Sequence, residues 1–243
     1  MITRSTPSVQ PIEWTEELRQ AYSDPQQLLR DLGIRPERVA LGNGEGFAFR
    51  VPRPFARRMR YGDPDDPLLR QVLPSAAEAE RIAGFTHDPV GDLASARSPK
   101  VLHKYHGRAL LMLTGACAIN CRYCFRRHYP YAGMGGGNEA LLGAVREDPT
   151  IRELILSGGD PLMLRDDALA RLIDDIAAIG HVRRLRVHTR LPVTIPARLT
   201  AALLNALTRS RLTSTIVVHI NHPHEIDEEL RDRKSTRLNS SHD

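Results

Sequence analysis

The 243-residue sequence predicts an α/β fold in which βα units surround a parallel sheet, and three observations support this. After residue 105, short apolar runs alternate with amphipathic stretches, giving predicted strands at Ala109–Leu113, Glu153–Leu156, Leu185–His188 and Thr215–His219. Between the second and third of these, Asp166–Ile179 sets Leu169, Leu172, Ile173, Ile176 and Ile179 at helical spacing, and Gly180 closes the run. Hydrophobic residues at 41% and charged residues at 26% match ordinary globular usage, which excludes a disordered, collagen-like or coiled-coil chain. In parallel α/β folds, and in (β/α) barrels especially, chemistry gathers in the loops after the C-terminal strand ends.

Residues 1–100 lack that alternation, are rich in Pro and Asp, and read as a mainly helical or irregular accessory segment. A first helix is predicted around Thr15–Tyr22. A second opens at Asp24 as N-cap, with Pro25 at the first helical position and Gly33 just past the end. From Phe55 to Asp92 the turn signals Gly62-Asp63-Pro64, Asp66-Pro67 and Asp88-Pro89 suit an extended arm lying over another domain. The barrel-like unit is expected over 101–232 and a separate tail over 233–243. Gly135-Gly136-Gly137 reads as a flexible connection and not a phosphate loop, because no strand precedes it and no Lys-Ser/Thr follows. Gly42-Asn43-Gly44-Glu45-Gly46 reads as a turn cluster, and His222 and His224 around Pro223 as a polar loop.

The formal net charge is +5, and arginines cluster at Arg57, Arg58 and Arg60, at Arg122, Arg126 and Arg127, and at Arg183, Arg184 and Arg186. They lack the interleaved aromatics of a single-strand platform, so no nucleic-acid partner is expected. The longest nearly apolar stretch, Ala109–Ile119, has 11 residues, well short of the roughly 17 a membrane-spanning helix needs. No apolar run follows the first residues, so a secretory signal is not expected and the cytoplasm is the expected location.

The chemistry concentrates in Thr114-Gly115-Ala116-Cys117-Ala118-Ile119-Asn120-Cys121-Arg122-Tyr123-Cys124, directly after the first predicted parallel strand. Cys117, Cys121 and Cys124 are the chain's only three cysteines, an odd number that does not make a disulfide framework and points to a reduced compartment and a metal. Three thiolates on one loop can ligate three irons of a four-iron cluster, leaving the fourth with an open position for an amine and a carboxylate. A zinc site completed by a distant ligand such as His128, or three packing cysteines, stand as alternatives. After the second strand, Ser157-Gly158-Gly159-Asp160-Pro161 offers close backbone approach at two glycines, with carbonyls and Asp160 able to accept from an ammonium.

This C-x3-C-x2-C loop followed by a Gly-Gly-Asp-Pro loop resembles the radical S-adenosylmethionine superfamily. The resemblance implies a partial (β/α) barrel, a [4Fe–4S] cluster on Cys117, Cys121 and Cys124, and S-adenosylmethionine chelated at the open iron with its amino group near Ser157, Gly158, Gly159 and Asp160. Within it, Cys124-Phe125-Arg126-Arg127-His128, the segment Ser157–Leu164, His188-Thr189-Arg190-Leu191-Pro192, Ile195–Thr200 and Asn221-His222-Pro223 followed by Glu225-Ile226 are similar to lysine aminomutase-like enzymes. Tyr-Cys-Phe-Arg-Arg and His-Thr-Arg-Leu-Pro favour the subfamily that makes β-lysine for elongation factor P over the free-lysine aminomutases of metabolism. The resemblance runs from about Trp14 to Asp232.

Such an enzyme moves the α-amino group of L-lysine to the β-carbon, using a 5′-deoxyadenosyl radical to take a β-hydrogen and pyridoxal phosphate to carry the migrating group. By the same resemblance, Arg126 pairs with the substrate carboxylate, while Lys104 and Arg108 hold the cofactor phosphate. Arg190, His219 and Asn221, at C-terminal strand ends, are assigned to the S-adenosylmethionine site. The implied partners are L-lysine and, through the product, elongation factor P and its β-lysyl ligase. After Asp232 the family's next helix and strands are not matched; Arg233–Asp243 resembles a translated sequencing adapter. A natural protein longer by on the order of 100 residues is therefore expected, with the lysine that binds pyridoxal phosphate and the acids for the substrate's ε-ammonium in that missing part.

Overall fold

The computed structural model describes residues 13–44, 46–80, 82–98, 100–133 and 137–238. The first twelve residues, part of the triple-glycine connection and the last five residues of the tail lie outside them. Two helices open the chain, α1 (Trp14–Arg19) and α2 (Pro25–Asp31). Asp24 caps the second as the sequence predicts: its carboxylate accepts from the Gln26 N–H, Pro25 fills the first turn, and Gly33 leaves the helix at φ +67°. A one-turn helix α3 (Arg53–Ala56) and short 3-10 turns follow.

The stretch from Phe55 to Asp92 is more than an arm. Phe55, Met59, Leu68, Leu69 and Val72 are buried together with Leu28, Leu29, Ile34 and Val51 in a core of their own, which also takes in Ile119 and touches Cys121. Asp66, fully buried, holds this wrap closed by accepting from the backbone N–H groups of Arg60, Leu68 and Leu69. Turn residues supply the reversals, and the apolar side chains between them supply the burial.

The rest of the chain builds a six-stranded sheet from β1 (Ala96–Ser98), β2 (Val101–Tyr105), β3 (Arg108–Thr114), β4 (Glu153–Gly158), β5 (Arg184–Thr189) and β6 (Thr213–Val218), hydrogen-bonded in that order. The β3 to β6 neighbours are parallel and correspond to the four predicted strands; β1 and β2 add an antiparallel hairpin edge that the apolar pattern does not reveal. Helices α4 (Asn138–Glu147), α5 (Asp166–Ala177) and α7 (Ala201–Thr208) cross between successive parallel strands, with one turn, α6 (Leu191–Thr194), directly after β5. A last helix, α8 (Glu228–Leu238), runs from before Asp232 into the predicted tail.

Alternation along the strands sorts the sheet into two faces. Ala109, Leu111, Leu154, Leu156, Leu185 and Val187 pack with Leu142, Leu172, Ile173 and Leu203 of the helices. The opposite face carries Glu153, Ser157, Arg186 and His188. This βα architecture is the open, partial barrel that the sequence resemblance implies. Among the described residues no helix is long and apolar enough to cross a membrane.

Candidate active site

The β3 and β4 ends are locked to each other, which places the cysteine loop. The Gly159 N–H donates to the Thr114 carbonyl at 2.6 Å and the Asp160 N–H to the Ala116 carbonyl at 2.9 Å. A Cβ on Gly158, whose φ is +122°, would stand 2.5 Å from the Thr114 oxygen, and one on Gly159 would stand 2.4 Å from the Ala116 oxygen. Both glycines are thus required by the chain's own close approach.

Asp160 fixes the next junction. Its buried carboxylate accepts from the Leu162 N–H, the Thr189 hydroxyl and the N–H groups of Arg190 and Leu191, tying β4 to the end of β5. Burial raises its pKa, against the opposing pull of the Thr189, Arg190, Leu162 and Leu191 donors. With both oxygens so engaged, the acceptors this loop offers a ligand are its backbone carbonyls.

Cys117, Cys121 and Cys124 are free, half-buried thiols on the single loop after β3. Burial pushes the Cys117 thiol up, and Asp160 and the charges of Cys121 and Cys124 push it further; Cys124 rises for the same first reason. Each sulfur therefore lies within electrostatic reach of the others, an arrangement that a metal relieves by binding the thiolates. Among the described residues, no three His, Cys, Asp or Glu side chains converge as ligands of a single ion. Three cysteines on one loop match the three protein ligands of a four-iron cluster in number, one thiolate to each iron.

Three of the predicted cofactor residues meet beside this loop. Arg190, one residue past β5, donates from Nη1 to the Cys121 Sγ at 2.7 Å and to the Tyr123 hydroxyl, and from Nη2 to Gln71 Oε1 at 2.6 Å. Asn221 donates from Nδ2 to Gln71 Oε1 at 3.1 Å and to the same Tyr123 hydroxyl. The His219 ring stands edge-on to Tyr123, with centroids 6.2 Å apart. Burial pushes the Tyr123 phenol up, and the neighbouring Cys121 adds to the shift.

Arg126 lies on the helix-free face, donating from Nε to Asp92 at 2.8 Å and from Nη1 to the Ser157 hydroxyl at 3.0 Å. Nearby, His188 Nε2 and Arg186 Nε are buried without a hydrogen-bond partner among the described residues, polar atoms that a bound polar ligand would satisfy. Lys104 and Arg108 are not brought to one point. Lys104 reaches Asp92 at 2.7 Å and the Val90 carbonyl, close to Arg126. Arg108 lies toward Glu153 at the other end of β4, beside a cavity of about 500 Å³ also lined by Arg152, Thr150 and Arg184.

Residues 106–241 match the 4Fe-4S single cluster domain family. The chain is 47% identical to an L-lysine 2,3-aminomutase of Escherichia coli over 95% of its own length and 68% of that protein's. A Haemophilus influenzae protein of the same name is 43% identical over 88% of this chain and 65% of its own length. A third, from Clostridium subterminale, is 34% identical over 69% and 41%. The chain belongs to the lysine 2,3-aminomutase family. It spans about two thirds of the length of the first two relatives, which cover most of this chain, and it carries the family's radical S-adenosylmethionine-type, cluster-binding domain.

For this aminomutase-family chain, the residues present fit a cluster: three free thiols on one loop and a guanidinium on one of them. Gln71, Asp92 and Glu78 also meet the site, and nothing in their sequence neighbourhoods marks them for it. Gln71 and Asp92 come from the accessory segment and carry no local motif. Glu78 receives Arg122 and, at 2.5 Å, Arg127, both of the cysteine loop. Burial opposes ionisation of Glu78, but Arg122, the Ser75 N–H and Arg127 outweigh it and lower its pKa to about 2. Glu225 was visible only as part of the Asn221-His222-Pro223 motif, and nothing in that motif gave it a partner.

Proposed function

We propose that this chain is the cluster- and S-adenosylmethionine-binding part of an isomerase that moves the α-amino group of L-lysine to the β-carbon, with pyridoxal phosphate as second cofactor. The β-lysine formed is assigned to the modification of elongation factor P by its β-lysyl ligase. The observation that carries this reading is the clamp of the cysteine loop against the Ser157–Asp160 loop at adjoining strand ends. The family membership and the Tyr123-Cys124-Phe125-Arg126-Arg127 sequence support it.

Bound at the open iron, S-adenosylmethionine supplies a radical able to take hydrogen from carbon. The chain's residues bind and orient. Cys117, Cys121 and Cys124 hold the irons, and the carbonyls of the Ser157–Gly159 stretch accept from the ligand's ammonium next to Asp160. His219 and Asn221 both stand against Tyr123 of the cysteine loop. Arg126, held by Asp92 and Ser157 through Nε and Nη1, is assigned to the substrate carboxylate. Arg108 and Lys104 are assigned to the cofactor phosphate by the family resemblance alone; in this chain Arg108 lies at the opposite end of β4 from Arg126 and the cysteine loop. Lys104 serves Arg126 through Asp92.

Anaerobic reconstitution tests the assignment. The chain is expected to take up iron and sulfide and gain broad visible absorption, and Cys121→Ala to lose both; retention of absorption and iron in that variant would sink the ligand set. Product analysis with L-lysine then reads the reaction, and transfer of the product to elongation factor P by a β-lysyl ligase separates the translation-factor role from free-lysine metabolism.

A further inference from the structure

The cation on Cys121 is built in too firmly to be incidental. Arg190 is 7% exposed, and its backbone N–H is pinned to Asp160 Oδ2 at 2.8 Å, so the side chain starts from a fixed point. Its guanidinium lies over the rings of Phe55 and Tyr123, with centroids 5.3 and 5.6 Å away. From Nη2 it reaches Gln71 and, at 3.2 Å, the fully buried Glu225, which Gln71 also grips at 2.8 Å. Three segments distant in sequence thus hold one guanidinium still and aim its Nη1 at one sulfur at 2.7 Å.

We infer that Arg190 is a positioning residue that fixes the Cys121 corner of the cluster and sets the cluster's reduction potential, with Glu225 as the counter-charge that limits its effect. The inference rests on the reading that the three cysteines carry a cluster. Cluster potentials follow net charge and the hydrogen bonds to the ligating sulfurs. Reduction adds one electron from an external one-electron reductant, with no bond formed or broken, so a fixed positive charge donating to the Cys121 sulfur stabilises the reduced form. Glu225, on the far side of the guanidinium and with Oε2 lacking a partner among the described residues, draws part of that charge away.

The test is a redox titration of the anaerobically reconstituted full chain with dithionite as reductant, followed by the electron paramagnetic resonance signal of the reduced cluster. Iron content and circular dichroism are measured alongside. Arg190→Met is expected to lower the reduced-to-oxidised ratio at a fixed potential by about tenfold, or about 59 mV for one electron. Arg190→Lys restores part of the shift, and Glu225→Gln moves the midpoint the opposite way. An unchanged midpoint in Arg190→Met at full iron content overturns the inference, because a purely structural arginine would change iron retention and leave the potential alone. If Arg190→Met does not retain iron, Glu225→Gln decides: a rise supports the inference and no change overturns it. An unsubstituted chain that takes up neither iron nor sulfide would overturn the cluster assignment instead.

Discussion

The core under the helices and the core of the N-terminal segment follow different sequence rules. In the first, Leu169, Leu172, Ile173 and Ile176 recur at helical spacing and meet alternate residues of β3, β4 and β5, so sequence periodicity and burial coincide. In the second, Leu28, Val51, Phe55, Leu69 and Val72 are scattered among turns, and what unites them is a chain path set by caps such as Asp24 and Asp66. The two cores meet the cysteine loop from different sides: Ala118 packs into the helical core and Ile119 into the N-terminal one. The periodic core therefore builds the platform, while the aperiodic core brings Phe55 and Gln71 up to Arg190 and Cys121.

The largest effects should come from emptying each core in turn. Phe55→Ala is expected to cost about 3–5 kcal/mol and Leu172→Ala about 2–5 kcal/mol, both residues being at most 2% exposed. The difference should appear in the thiols. Under native conditions Phe55→Ala speeds labelling of Cys121 by a thiol reagent, whereas Leu172→Ala lowers Tm with little change in labelling. Equal labelling rates in the two variants would mean that both cores support the loop alike.

A smaller effect is expected where the platform meets the loop. Gly159→Ala sets a Cβ against the Ala116 carbonyl and should cost about 1–3 kcal/mol. It should also reduce iron retained after reconstitution, measured per chain, because β3 and β4 can no longer close on each other. Full iron content at wild-type Tm would show that the junction has slack.

The smallest effect belongs to the rim formed by the N-terminal segment. Glu78 has its pKa lowered from 4.5 to about 2, so it binds fewer protons folded than unfolded through that range. Its contribution is present above the unfolded value and is lost as pH falls from about 4.5 toward about 2. Glu78→Gln should cost no more than about 1 kcal/mol at neutral pH and should flatten the acid limb of denaturant midpoint against pH. An unaltered acid limb would remove Glu78 from the forces that hold Arg122 and Arg127.

By itself the sequence determined the parallel strands, α5, the Asp24 cap and the placing of three cysteines after a strand end. These are local patterns, each readable within about a dozen residues because period, cap chemistry and ligand spacing act at short range. Only the tertiary structure decided the β1–β2 edge, the second core, the separation of Lys104 from Arg108, and the Arg190, Gln71, Glu225 and Tyr123 cluster behind Cys121. These depend on segments as far apart as Gln71 and Glu225, and nothing in either neighbourhood marks the other as its partner. A buried polar group must find its hydrogen bonds wherever the fold brings donors and acceptors within reach, and that is a property of packing and not of any one stretch of sequence.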